Sequence, residues 1–165
     1  MTAGTLSGMD PVNIATPEFT YDETDPPGYH SGMFRFGPLV GGSALGASVY
    51  ELPPGQGLCP YHYEYGDEEW LLVLQGTPTV REPAGERVLQ PWDVLCFPAG
   101  PDGAHKVSNA SDETVRVLMW STVSTPAASV YPDSGKIGIW TGNRDDDTLV
   151  FKSSAVAYFD GEPTS

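Results

Sequence analysis

What most constrains this chain is its punctuation. Gly and Pro, 19 and 16 of them among 165 residues, interrupt it throughout, and no long stretch places apolar residues at helical spacing. Short apolar runs that stop at Gly, Pro, Asn or Asp read as an all-β fold. The candidate strands are Met33 to Phe36, Leu45 to Leu52, Trp70 to Gln75, Thr77 to Arg81, Glu86 to Leu89, Asp93 to Phe97 and Thr114 to Thr122. Pro83-Ala84-Gly85 predicts a hairpin between the fourth and the fifth of these. Strands this short and closely spaced predict a sandwich or barrel, and the lack of an internal repeat predicts one such unit.

The polar, Pro-containing stretch 1–32 reads as an extended N-terminal arm, residues 33–123 as the β-barrel, and residues 124–165 as a C-terminal extension packed on it. Within the extension, Tyr131-Pro132-Asp133-Ser134-Gly135 is a turn signal, Lys136 to Trp140 a further strand candidate, and Asp145 to Asp147 a solvated loop.

The formal net charge of −14, from 22 acidic and 8 basic residues, argues against a nucleic-acid partner, because phosphate binding needs clustered Lys and Arg. It equally disfavours an anionic membrane surface. The longest apolar run, Trp70 to Leu74, is too short to span a bilayer. Met1 to Thr20 has neither a basic n-region nor an apolar h-region, so the expectation is a cytoplasmic protein in which Cys59 and Cys96 are reduced thiols. The sequon Asn109-Ala110-Ser111 is then an accidental match.

Chemistry gathers at three places. In His62-Tyr63-Glu64, positions i and i+2 of a strand share a face, so His62 and Glu64 can address one ion while Tyr63 turns away. Glu69 opens the run to Gly76, and alternation puts it on one face with Leu71, Val73 and Gln75. A carboxylate on a core face is costly unless compensated, and a divalent cation would compensate it. His105 follows the loop 98–104, at the start of another strand candidate. Glu68 alternates outward as a surface charge, His30 lies in the arm, and Tyr61, Tyr63, Tyr65 and Trp70 suit packing or a subunit interface.

These residues resemble the cupin superfamily. Its first motif runs G-x5-H-x-H-x3-4-E-x6-G, against His62-x-Glu64-x4-Glu69-x6-Gly76 here, with Gly57 one place closer than the pattern asks. Its second runs G-x5-P-x-G-x2-H-x3-N, against Trp92-x5-Pro98-x-Gly100-x4-His105-x3-Asn109. The chain looks most like small bacterial single-domain cupins of mostly unassigned activity. The resemblance implies a double-stranded β-helix, or jelly-roll, barrel, a homodimer that exchanges terminal arms, and metal-ligand roles for His62, Glu69 and His105. Three departures stand out: Glu64 occupies the second histidine's position, Trp92 replaces a Gly, and the loop before His105 is two residues longer.

With Glu64 as a fourth ligand by replacement, the site holds two His and two carboxylates and is neutral around a divalent ion. His62, Glu64 and His105 also match the 2-His-1-carboxylate triad of non-haem Fe(II) oxygenases. The leading expectation is therefore a dioxygenase-type oxidoreductase using Fe2+ on a small organic molecule, with Glu69 as fourth ligand or base. A non-redox lyase or isomerase using Zn2+, Mn2+ or Ni2+, with Glu64 moving a proton, is one alternative. A non-catalytic small-ligand-binding protein is the other. Arg116 is a candidate for a co-substrate carboxylate, against its plainer reading as a solvated strand residue.

Overall fold

The computed structural model describes residues 10–163, so the first nine residues of the expected arm and the last two of the expected extension lie outside the described residues. In chain order the described strands are β1 (Thr20–Tyr21), β2 (Gly32–Arg35), β3 (Leu45–Leu52), β4 (Tyr63–Glu64), β5 (Glu69–Gln75), β6 (Thr79–Glu82) and β7 (Gly85–Val88). They continue with β8 (Val94–Phe97), β9 (Lys106–Ser108), β10 (Val115–Thr122), β11 (Ala127–Tyr131), β12 (Lys136–Trp140) and β13 (Thr148–Phe151). The hairpin at Pro83-Ala84-Gly85 forms, with Glu82 opposite Gly85. No helix among the described residues is long and apolar enough to cross a membrane.

The strands make three antiparallel sheets, ordered β1-β2-β3-β10-β5-β8, β13-β12-β11-β4 and β7-β6-β9. Each sheet is open, with two edge strands of its own. The closed double-stranded β-helix barrel expected from the sequence is not formed. The breaks fall where the chain places proline, at Pro53-Pro54 after β3, Pro60 before β4, and Pro98 and Pro101 after β8. A residue without an N–H cannot carry a ladder onward. Between the sheets, single bridges join Gly57 to Ser108 and His62 to His105.

The core lies between the six-stranded and three-stranded sheets. Leu52, Leu71, Val73, Val115 and Val117 pack there with Val80 and Val107, all fully buried. A smaller cluster of Tyr61, Tyr63, Ala104 and Val130, with Ile137 against it, sits under the four-stranded sheet. Register fixes what shares the inner face of the large sheet. Met33, Tyr50, Val117 and Val73 form one cross-strand row; Arg35, Ser48, Met119, Leu71 and Leu95 form the next; Gly46, Ser121, Glu69 and Phe97 form the one beyond. Gln75 does not join its expected companions: a bulge between Arg116 and Val117 shifts the register there, and Gln75 is exposed.

Two motif positions explain themselves locally. Gly76 has φ +74, and a Cβ on it would lie 2.9 Å from Val115 Cγ2, so the turn out of β5 needs glycine. Asn109 is buried and donates from Nδ2 to the carbonyls of Leu52 and Glu113, at 2.8 and 2.7 Å, closing the chain between β9 and β10.

Candidate metal centre

His62 and His105 face each other across the bridge between sheets. His62 N donates to His105 O at 3.1 Å and His105 N to His62 O at 2.8 Å, so the two backbones form a hydrogen-bonded antiparallel pair. Each ring is then tethered through Nδ1, to Pro60 O at 3.0 Å and to Gly103 O at 2.9 Å. A carbonyl can only accept, so each Nδ1 carries the proton and each Nε2 keeps a free lone pair. The ring of His105 lies flat on Phe97, with centroids 3.7 Å apart, and Tyr131 stacks on His62 at 5.8 Å. Gly103 completes the approach: the turn presses against Pro98 O so closely that any Cβ would overlap it.

Glu69 supplies the third group from the first residue of β5. Its Oε2 is 3.7 Å from His62 Nε2 and 3.5 Å from His105 Nε2, beyond hydrogen-bond length. Two ligands each about 2.1 Å from one ion stand roughly 3–3.5 Å apart, so the spacing matches a shared cation better than direct contact. Ligand atoms of His62, Glu69 and His105 all lie within 4.8 Å of one another. Electrostatics agree: burial raises the Glu69 carboxyl to about 7, helped by the nearby charges of Glu64 and Asp67. Burial also lowers His105 to about 4, helped by His62, and lowers His62. The cluster thus offers neutral imidazoles beside a carboxyl whose ionised form is disfavoured by burial, a donor set that fits a divalent cation.

Glu64 stands beside this group rather than in it. Its Oε1 accepts from Ser129 Oγ at 3.0 Å, and that hydroxyl in turn accepts from Trp140 Nε1 at 2.7 Å. Burial raises the Glu64 carboxyl, partly offset by the Ser129 bond. Ser129 and Trp140 come from β11 and β12, where the sequence offered only a turn signal and one strand candidate. Cys59 Sγ is 3.6 Å from His62 Nδ1, and burial pushes its thiol up to about 12. Arg116 lies on the opposite face of the sheet, held by Glu51 Oε2 at 2.8 Å from Nε and 2.6 Å from Nη2, so it is not available to the cluster. Glu68 accepts from Trp70 Nε1 at the surface, and His30 stacks on Tyr21.

An antiparallel β fold that holds two backbone-tethered histidines and a buried glutamate around one point defines a class of small metal-site proteins. Residues 48–121 match the family model of the cupin domain, and that part of the chain is a cupin domain. No curated protein matches it significantly. Among solved structures it is similar to a provisionally assigned sugar phosphate isomerase from Acidithiobacillus ferrooxidans, at 25% identity and TM-score 0.72, covering 79% of this chain and 82% of that one. It is also similar to a sugar phosphate isomerase of the cupin superfamily from Silicibacter pomeroyi, at 20% identity and TM-score 0.77 over 92% and 98% of the two chains. A polyketide cyclase from Streptomyces resistomycificus shares the fold at 17% identity and TM-score 0.60 over 72% and 83%. The expectation of a dioxygenase-type oxidoreductase is corrected here: the two sugar phosphate proteins carry isomerase descriptions.

Proposed function

We propose that the protein is a metal-dependent, non-redox isomerase of a small carbonyl compound, with a sugar phosphate as the substrate class. The carrying observation is the pairing of the His62, Glu69 and His105 cluster with a separate carboxyl, Glu64, fixed beside it by Ser129. The similarity to the Acidithiobacillus ferrooxidans protein supports the substrate class. A divalent ion held by His62, Glu69 and His105 would polarise a carbonyl oxygen as a Lewis acid. Glu64 takes the proton from the hydroxyl-bearing carbon next to that carbonyl and returns it to the former carbonyl carbon, while the hydroxyl proton passes to the former carbonyl oxygen, so the substrate is isomerised with no net electron transfer. Ser129 Oγ–H, itself aimed by the Trp140 indole, holds the carboxylate in one orientation between the two transfers. We also propose that the chain works as a homodimer; the exposed apolar residues Val88, Trp92 and Val94 support this.

The test is solvent exchange. Wild type, Glu64→Gln and His105→Ala are incubated in D2O with short-chain aldose and ketose phosphates and followed by proton NMR. Wild type should wash deuterium into the carbon beside the carbonyl. Glu64→Gln should lose the exchange while keeping its metal, and His105→Ala should lose both. Full exchange by Glu64→Gln, or oxygen uptake in place of exchange, would overturn the reading.

A further inference from the structure

Of the cluster, Glu69 also lines a cavity of about 150 Å³, together with Ser48, Tyr50, Ser121, Gly46 and Arg35. Arg35 is the only cation on that wall. It makes no salt bridge among the described residues, whereas Arg81, Arg87 and Arg116 are each tied to a carboxylate. An exposed arginine with no carboxylate partner, lining one cavity with the half-buried Glu69 in a chain with 22 acidic residues against 8 basic ones, is available to an anion from outside. Register puts it there: Arg35 pairs with Ser48, and Ser121 pairs with both Gly46 and Glu69, so all project from the inner face of one sheet.

From this arrangement we infer that Arg35, with the hydroxyls of Ser48, Tyr50 and Ser121, forms a subsite for the phosphate of a phosphomonoester substrate whose other end reaches Glu69. A carboxylate would be satisfied by the guanidinium fork alone, in a bidentate pair. Hydroxyls lining the same cavity supply the extra donors that the third oxygen of a phosphate needs. Arg35 and Glu69 stand on strands three places apart, roughly 14 Å between backbones, which the two side chains shorten to the length of a few carbons. Gly46 keeps the space open: a Cβ there would come within 3.2 Å of Ser121 Oγ. The subsite thus favours a short, open-chain phosphate. That the far end is a carbonyl rests on the isomerase reading; the anion subsite does not.

Binding is therefore measured apart from turnover. Glycerol 3-phosphate, glycerate and glycerol are titrated by calorimetry into wild type, Arg35→Gln, Arg35→Lys and Gly46→Val, with circular dichroism as the check on folding. Wild type should bind glycerol 3-phosphate more tightly than glycerate, and glycerol not measurably. Arg35→Gln should weaken glycerol 3-phosphate by about 20-fold, the worth of a charged hydrogen-bonded contact. Arg35→Lys should lose less, since it keeps the charge without the fork, and Gly46→Val should block binding by volume alone. Unchanged affinity in Arg35→Gln, or glycerate bound as tightly as glycerol 3-phosphate, would overturn the assignment. If Arg35→Gln loses the phosphate while wild type exchanges no deuterium, the subsite stands and the isomerase reading falls. If wild type exchanges deuterium and Arg35→Gln binds as before, the reverse holds.

Discussion

The inner face of the six-stranded sheet carries two regions built from the same strands with opposite contents. In the first, Leu52, Val115, Val117 and Val73 are apolar and fully buried. Further along β3, β10 and β5 the inward positions come to include Ser48 in the next row, with Arg35 on the neighbouring strand, and Ser121 and Glu69 in the row beyond. Alternation, strand direction and hydrogen bonding are continuous from one region to the other. The first region holds the sheet together and tolerates no charge; the second is supported by the first and is free to hold polar groups that would unfold an isolated strand pair. The chemistry sits at the end of a core, not in a separate module.

Exchanging the contents of the regions gives the largest expected effect. Val117→Asp places an unpaired carboxylate in the apolar region and should cost about 4 kcal/mol or more, seen in urea denaturation as a chain unfolded or nearly so. An effect below about 1 kcal/mol, close to that of ordinary surface changes, would show that the two regions are not energetically distinct. Next come the ligands. His62→Ala and His105→Ala should each lower metal affinity by more than about 100-fold, beyond what loss of a supporting contact costs, with the fold retained in circular dichroism. Glu69→Gln should weaken binding less, because an amide oxygen still coordinates. Metal analysis after dialysis decides, and equal metal content in wild type and both histidine variants would remove the cluster from the ligand set.

A smaller effect separates the regions by pH, since only the polar one titrates. Glu69 sits at about 7 and must lose its proton to coordinate. Metal affinity should therefore rise about tenfold per pH unit below that value and level off above it. His105, lowered to about 4, is already neutral in this window, and burial lowers His62 in the same direction. Glu69→Gln has no proton to lose there and should flatten the profile. A wild-type plateau reached by pH 5, about two units below the Glu69 midpoint, would contradict the assignment. The smallest effect lies outside both regions. Trp92 has φ 76, a left-handed conformation that a residue with a Cβ adopts at a cost, and its side chain is 72% exposed. Trp92→Gly should stabilise the chain by about 1 kcal/mol, net of glycine's own entropy, read as a small rise in Tm.

How much of this was legible beforehand differs by region. Strands of the apolar region were plain: Leu45–Leu52 falls where the sequence put it and β10 begins one residue later than expected, while outside that region Lys136–Trp140 also falls in place. Hydrophobic alternation and turn chemistry are local signals, and they carried that far. Closure was not local. Whether short strands join into one continuous wall depends on where ladders are interrupted, and the prolines that looked like turn markers left three open sheets. At the site, His62, Glu69 and His105 were readable from their spacing. The partner of Glu64 was not, because Ser129 arrives from a strand 65 residues later. Arg35 was passed over because one arginine in a four-residue strand carries no pattern; only its pairing with Ser48 places it at the cavity. Arg116 drew notice instead, and its alternate position puts it on the wrong face.

The mutual peptide bonds between His62 and His105 have an evolutionary consequence. Ligands delivered by independent loops would drift apart whenever either loop gained or lost a residue. Here each imidazole is pinned to the other's main chain and to a carbonyl two residues before itself, so the distance between them is indifferent to the length of the loop that precedes either. The turn Pro101–Gly103, within the loop that runs two residues longer than the superfamily pattern, absorbs its surplus upstream of the clasp. A lineage with this clasp can lengthen, shorten or rewrite the rim around the ion, and with it the shape of molecule admitted, while inheriting the same coordination geometry.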